Sequence, residues 1–186
     1  MNAPSGPQAS VEQRLFGDAL SCELELPMTV VASDSRGRQA QAEALLVGLA
    51  RLEDLRRDDG EDHADPLLAQ RIDAKLDLVL ALLGRLAHRA DAMPVRRVRW
   101  SRHGLQVDFG RDQGLAIGDA LVLHLQPAEW LPDHIELPAV VLEQATIPGG
   151  QRLWLAFSDL RVGLTEAIDR HLFRLHRRQI AEQRRV

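Results

Sequence analysis

Between residues 69 and 90, Ala69, Ile72, Leu76, Val79, Leu83, Leu86 and Ala90 recur at steps of 3, 4, 3, 4, 3 and 4. This spacing constrains the chain more than any other feature, because an apolar stripe repeating every heptad is suited to meet another helix along its whole length. With three residues from a to d, the a positions are Ala69, Leu76, Leu83 and Ala90. The d positions are Ile72, Val79 and Leu86, and Met93 continues the register. Leucine at a with β-branched residues at d disfavours a parallel dimer and favours three or four strands. Leu68, Leu80 and Leu82 widen the face, while Asp73, Asp77 and Arg85 stay outside the seam. Gly84 points outward and costs about 1 kcal/mol of helix propensity without breaking the stripe. Two readings of the stripe stand: an intermolecular coiled coil, or an amphipathic helix packed on its own domain.

The heptad helix, about 66–92, opens on a capping Asp65 and Pro66 and closes at Pro94. An earlier helix, about 39–57, carries Ala42, Leu45, Leu46, Leu49 and Leu52 at three- and four-residue steps. The acidic run between the two helices lacks the ligand order of a calcium loop and reads as a solvated connection. Together, 35–93 form an inserted helical, coiled-coil oligomerisation segment.

On either side of the insertion the period falls to two. Cys22, Leu24, Leu26, Met28 and Val30 alternate with Glu23, Glu25 and Thr29, which predicts a half-buried strand. Pro27 within it implies an edge or a bulge. Val98 with Trp100, then Leu105, Val107 and Phe109, then Leu121, Leu123 and Leu125 predict further inward faces, with Val122, His124 and Gln126 outward. PAEWLPDHIELP reads as a long loop, and AVVLEQAT (139–146) and QRLWLAF (151–157) as a hairpin across IPGG. About six short strands joined mostly by hairpins predict an α+β protein built on a small six-stranded antiparallel barrel. Its parts are 13–34 and 94–186, with 1–12 a disordered tail. Thr165 is expected to cap a C-terminal helix packing through Ile168, Leu172, Leu175 and Phe173.

An enzyme is not expected. The chain has no G-x-G-x-x-G, Walker loop or nucleophile elbow, and Asp108-Phe109-Gly110 lacks the accompanying motifs of a kinase. The seven histidines are scattered, and His171 and His176 are too far round a helix from each other to share a metal, so no metal site is expected. Cys22 reads as a small core residue. A net charge of −4 gives no bulk attraction to nucleic acid, and no run approaches the ~18 apolar residues of a membrane span. The expected protein is cytoplasmic, with no nucleic acid bound and no membrane insertion.

One corner joins these observations to a family. Arg99, then Ser101-Arg-His-Gly104, then Leu105-Gln-Val107, followed by G-D-A-L-V-L-H-L, the AVVLEQ…LWLAF hairpin and an arginine-rich closing helix, resembles the PilZ domain. The heptad insertion resembles its atypical, tetrameric subgroup. The resemblance covers about 22–34 and 95–184. It implies a bacterial signalling role linked to the messenger cyclic di-GMP, with motility or type IV pilus function as the setting. It also implies a nucleotide-binding corner at Arg99, Ser101 and Gly104. In that family an R-x-x-x-R pair before the barrel and an Asp/Asn-x-Ser-x-x-Gly corner hold the ligand. Here the acidic position is Arg99, only Arg14 precedes the first strand, and Arg85 and Arg89 fall on the heptad helix. The nucleotide motifs are degenerate, and the corner reads as a fold-defining turn, its serine bonding local backbone and its glycine permitting an unusual backbone angle. The leading reading is a non-enzymatic adaptor, a homo-tetramer acting on an unidentified protein partner with no cofactor. The alternative is a cyclic di-GMP receptor with a non-standard site, and a third class is a purely structural coiled-coil scaffold.

Overall fold

The computed structural model describes residues 10–58, 72, 76, 93–128, 131 and 133–184. The alternation at 22–30 becomes β1 (Ser21–Ala32), which buries Cys22, Leu26 and Met28 and turns Glu23 and Glu25 to solvent. Five more strands follow: β2 (Val95–Ser101), β3 (Gly104–Phe109), β4 (Ala120–Leu125), β5 (Ile135–Ile147) and β6 (Gly150–Phe157). They close an antiparallel barrel in the order β1-β2-β3-β6-β5-β4. Closure leaves no edge, so Pro27 is not an edge residue. It stands where β1 passes from β2 to β4, with Pro27 opposite Val95 and Met28 opposite Leu125. The missing N–H falls at this change of partner, and the Pro27 carbonyl accepts from the Gln126 N–H at 3.0 Å.

Among the described residues, three helices with defined bounds accompany the barrel: α1 (Val11–Phe16), α2 (Gln39–Asp58) and α3 (Val162–Gln183). α1 begins inside the stretch expected to be tail. Its start is set by Ser10, whose Oγ accepts from the Gln13 N–H at 3.2 Å. α3 begins three residues before Thr165, so Thr165 is not its cap. Its hydroxyl instead donates back to the Arg161 carbonyl at 3.3 Å. Phe173 does not join the packing face: it is 55% exposed, beneath the Arg177 guanidinium. Val122 and Gln126, expected to face outward, are buried. β5 starts at Ile135, so the expected long loop gives up its last four residues to a strand. The IPGG hairpin closes as predicted, Ile147 opposite Gly150 and Gly149 at φ +85°, a conformation glycine adopts without strain.

The core runs from the barrel interior (Trp100, Leu105, Leu123, Leu155) into Ala42 and Leu46 of α2 and Ile168 and Leu172 of α3. The barrel, α2 and α3 therefore share one apolar interior, each fully buried leucine contributing about 1.5–3 kcal/mol. Cys22 packs in it as a small apolar group, with burial pushing its thiol pKa up. At the junction with α3, His171 is buried beside Trp100, ring centroids 5.7 Å apart, with Nε2 3.2 Å from the Pro127 carbonyl. Burial pushes its pKa down to about 4.

Of the heptad positions, Ile72 and Leu76 are helical and stand 51% and 55% exposed in the single chain. Ala69, Val79, Leu83, Leu86 and Ala90 lie outside the described residues, as do Gly84, the part of the acidic run beyond Asp58 and the Arg85/Arg89 pair. Met93 lies in irregular structure, so the helical register does not extend to it.

Candidate functional site

The corner between β2 and β3 is a tight reversal in which Ser101 pairs with Gly104. Ser101 is fully buried, and its hydroxyl is consumed within the fold. Oγ donates to the Leu15 carbonyl of α1 at 2.6 Å and accepts from the His103 N–H at 3.1 Å. Gly104 is needed for space rather than for an unusual backbone angle, correcting the sequence expectation. A Cβ there would lie 2.1 Å from the Leu155 carbonyl oxygen and 3.0 Å from a Leu15 methyl. Its place is the close approach of β3 to β6 and α1. The corner is thus a docking point for α1.

Around it, the outward residues of β1, β2, β3 and β6 form a shallow charged cleft of about 190 Å³ lined by Glu23, Arg97, Arg99, Gln106, Asp108 and Arg152. Each arginine has a carboxylate. Arg97 meets Glu23 at 3.1 Å, Arg99 meets Glu12 at 3.0 Å, and Arg152 grips Asp108 through two bonds of 2.6 and 2.8 Å. The Asp108 hydrogen bond pushes the Arg152 pKa up, against the opposing effect of burial. Glu12 closes the cleft from α1. Its Oε2 takes Arg99, and its Oε1 accepts from Trp154 Nε1 at 2.8 Å. With its amide nitrogen turned toward Glu12, Gln106 donates to the same Oε1 at 3.1 Å and accepts from Arg152 Nε at 3.2 Å. Below them, Leu15, Phe16 and Trp154 form a small apolar cluster on the outside of the barrel, and the Arg99 guanidinium lies 4.2 Å over the Phe16 ring.

The structure therefore brings Arg99, Ser101 and Gly104 to one corner, and covers that corner with α1. Glu12 was missed because it lies in a Pro-, Ser- and Gly-rich stretch. The signal available was Ser10-x-x-Gln13, a helix-start pattern. The histidines, scattered along the sequence, are not all apart in the fold. His124, His134 and Glu136 gather on the outer face of β4 and β5, and β-sheet pairing alone unites them. Burial and the neighbouring His134 push the His124 pKa down. Burial pushes the Glu136 carboxyl up, but hydrogen bonds and charge from Arg38 outweigh it and hold the carboxyl below its usual range.

A closed six-stranded barrel bearing a Ser-x-x-Gly corner and a C-terminal helix defines a PilZ-type domain. A family model described as "Atypical PilZ domain, cyclic di-GMP receptor" matches residues 46–185, and the chain belongs to that family. Its sequence is 44% identical to a Xanthomonas campestris protein over 92% of this chain and 96% of that one, with a TM-score of 0.78. That protein is a tetrameric PilZ domain self-assembled via a helical bundle. More distant are the cyclic di-GMP-bound PilZ domain of Escherichia coli YcgR and the Bacillus subtilis inhibitor of motility. The first is 14% identical over 50% of this chain and 79% of that one, TM-score 0.40. The second is 24% identical over 47% and 43%, TM-score 0.38. No curated protein matches the chain. Among the described residues, no helix is long and apolar enough to cross a membrane.

Proposed function

We propose that this protein is a non-enzymatic PilZ-type adaptor that assembles as a tetramer through its heptad helix. It acts by protein–protein contacts in a cyclic di-GMP-related or type IV pilus pathway of the bacterial cytoplasm. The observation that carries the adaptor reading is the corner itself. Arg99 is neutralised by Glu12 and the Ser101 hydroxyl is spent on Leu15, so the residues aligned with a nucleotide site serve to hold α1. Self-assembly is supported by Ile72 and Leu76, a turn apart on a helix and more than half exposed in one chain, and by the tetrameric relative. Light scattering coupled to size-exclusion chromatography tests the assembly: four chains are expected at micromolar concentration, and a monomer would overturn it.

A second reading, a cyclic di-GMP receptor with a non-standard site, is favoured by the family description and by three arginines in one cleft. Guanidinium groups suit phosphates and guanine edges. Calorimetric titration separates the two. Micromolar binding lost in Arg99→Ala supports the receptor, and no heat at that concentration supports the adaptor.

A further inference from the structure

His124 on β4 and Glu136 on β5 are direct cross-strand partners, and His134 precedes Glu136 by two residues. Strand alternation therefore puts all three on one outer face of the barrel, remote in sequence from the β2–β3 corner. Their ligand atoms lie within 4.8 Å of one another. The two imidazoles are stacked, centroids 4.8 Å apart and planes inclined by 13°. His134 Nε2 is buried with no hydrogen-bond partner, 4.0 Å from Glu136 Oε1. Buried ring nitrogens are nearly always paired, so an orphan aimed at a carboxylate and a second imidazole calls for an explanation.

We propose that His124, His134 and Glu136 bind one transition-metal ion of the zinc class. Two imidazoles and one carboxylate form a borderline nitrogen–oxygen set suited to Zn²⁺, Co²⁺ or Ni²⁺, and they lack the oxygen cage that Ca²⁺ or Mg²⁺ requires. Such ions sit about 2.0–2.2 Å from their ligands, which places ligand atoms about 3.3 Å apart in a tetrahedral shell. The present cluster must therefore close by on the order of 1.5 Å. Nearly parallel stacked rings cannot both aim a lone pair at one ion, so binding turns one imidazole about its Cβ–Cγ bond. His134 is the ring that turns: it stands just before β5, and its Nε2 has no bond to give up. Water completes the coordination shell.

Arg38 opposes the ion. Its Nε donates to Glu136 Oε1 at 2.8 Å and its backbone N–H to Oε2 at 3.0 Å. Each carboxylate oxygen keeps a free lone pair, but the guanidinium charge repels a cation. Arg38 directly precedes α2, so an ion at Glu136 competes with the tie between the barrel and the start of the helical insertion.

The test uses untagged full-length protein stripped with a chelator and titrated calorimetrically with ZnCl₂, with visible absorption of Co²⁺ as an independent report of ligand geometry. One ion per chain is expected. His124→Ala and His134→Ala should each weaken binding by more than the roughly 10–100-fold typical of losing only an outer-shell partner. Arg38→Ala should tighten it several-fold. Circular dichroism shows whether each variant keeps its fold. Equal affinity in the His124→Ala/His134→Ala double variant would assign the ion to other histidines and overturn the site, as would the absence of any saturable Zn²⁺ binding by the parent protein.

Discussion

The corner under α1 and the stripe at Ile72 and Leu76 are opposite cases of a surface. The corner is rich in charge, yet every guanidinium in its cleft has a carboxylate and its buried serine has its partners. The stripe is apolar, and two of its members stand more than half exposed. A charged face can satisfy itself within one chain, because ion pairs and hydrogen bonds saturate locally. An apolar face has nothing to saturate against except another surface. The region that resembles a ligand site is thus closed, and the region without chemistry is open.

Four experiments bear on this contrast. The largest effect is expected from Leu76→Asp with Leu83→Asp. Each puts an uncompensated charge into a desolvated seam at a cost of several kcal/mol per chain. Light scattering should then report single chains, while circular dichroism of the barrel stays unchanged; a tetramer surviving both substitutions would remove the stripe from the interface. Next is Gly104→Ala, whose Cβ meets the Leu155 carbonyl. Overpacking against backbone should cost roughly 3 kcal/mol, read as a lower urea midpoint. A loss under half of that would mean the corner is not tightly packed.

Of similar size is the pH response of His171. The folded pKa of about 4 lies below the ordinary 6.5 because burial disfavours the charged ring. Protons therefore bind the unfolded chain first. Stability is complete above pH 6.5, falls as pH drops toward 4, and levels off below it, a loss of roughly 3 kcal/mol from this residue. Urea unfolding at pH 7 and pH 4.5 should show the loss in the parent protein and a smaller one in His171→Asn. An equal loss in both would locate the titration elsewhere. The smallest effect is Glu12→Gln. Its pair with Arg99 is partly exposed, so stability should fall by under about 1 kcal/mol. The same change frees the Arg99 charge, and repeating the cyclic di-GMP titration in this variant would sharpen the comparison. Binding gained on losing Glu12 would show that α1 masks a competent site.

Much of the fold was legible because strand alternation is local. Cys22, Leu26 and Met28 announce β1, and Leu121, Leu123 and Leu125 announce β4, since each period follows from backbone geometry alone. The misreadings have a common origin in partners distant along the chain. Val122 sits at an outward position yet is buried, and Phe173 sits on an apparent packing face yet is exposed. α3 starts without a side-chain cap, so Thr165 offered the nearest signal and misplaced the helix start. Gly104 announced a turn, but the reason for it, a carbonyl of β6 pressed against its Cα, belongs to another strand.

By itself, then, the sequence determined the six strands, the helix α2 that follows the first of them and the spacing of the apolar stripe, because periodic patterns reflect the geometry of single elements. Tertiary structure alone decided which charges meet. It brought Glu12 to Arg99 across 87 residues and set His124 opposite Glu136. Those encounters depend on strand order and register. These follow from burying one shared core, and no window along the chain contains them.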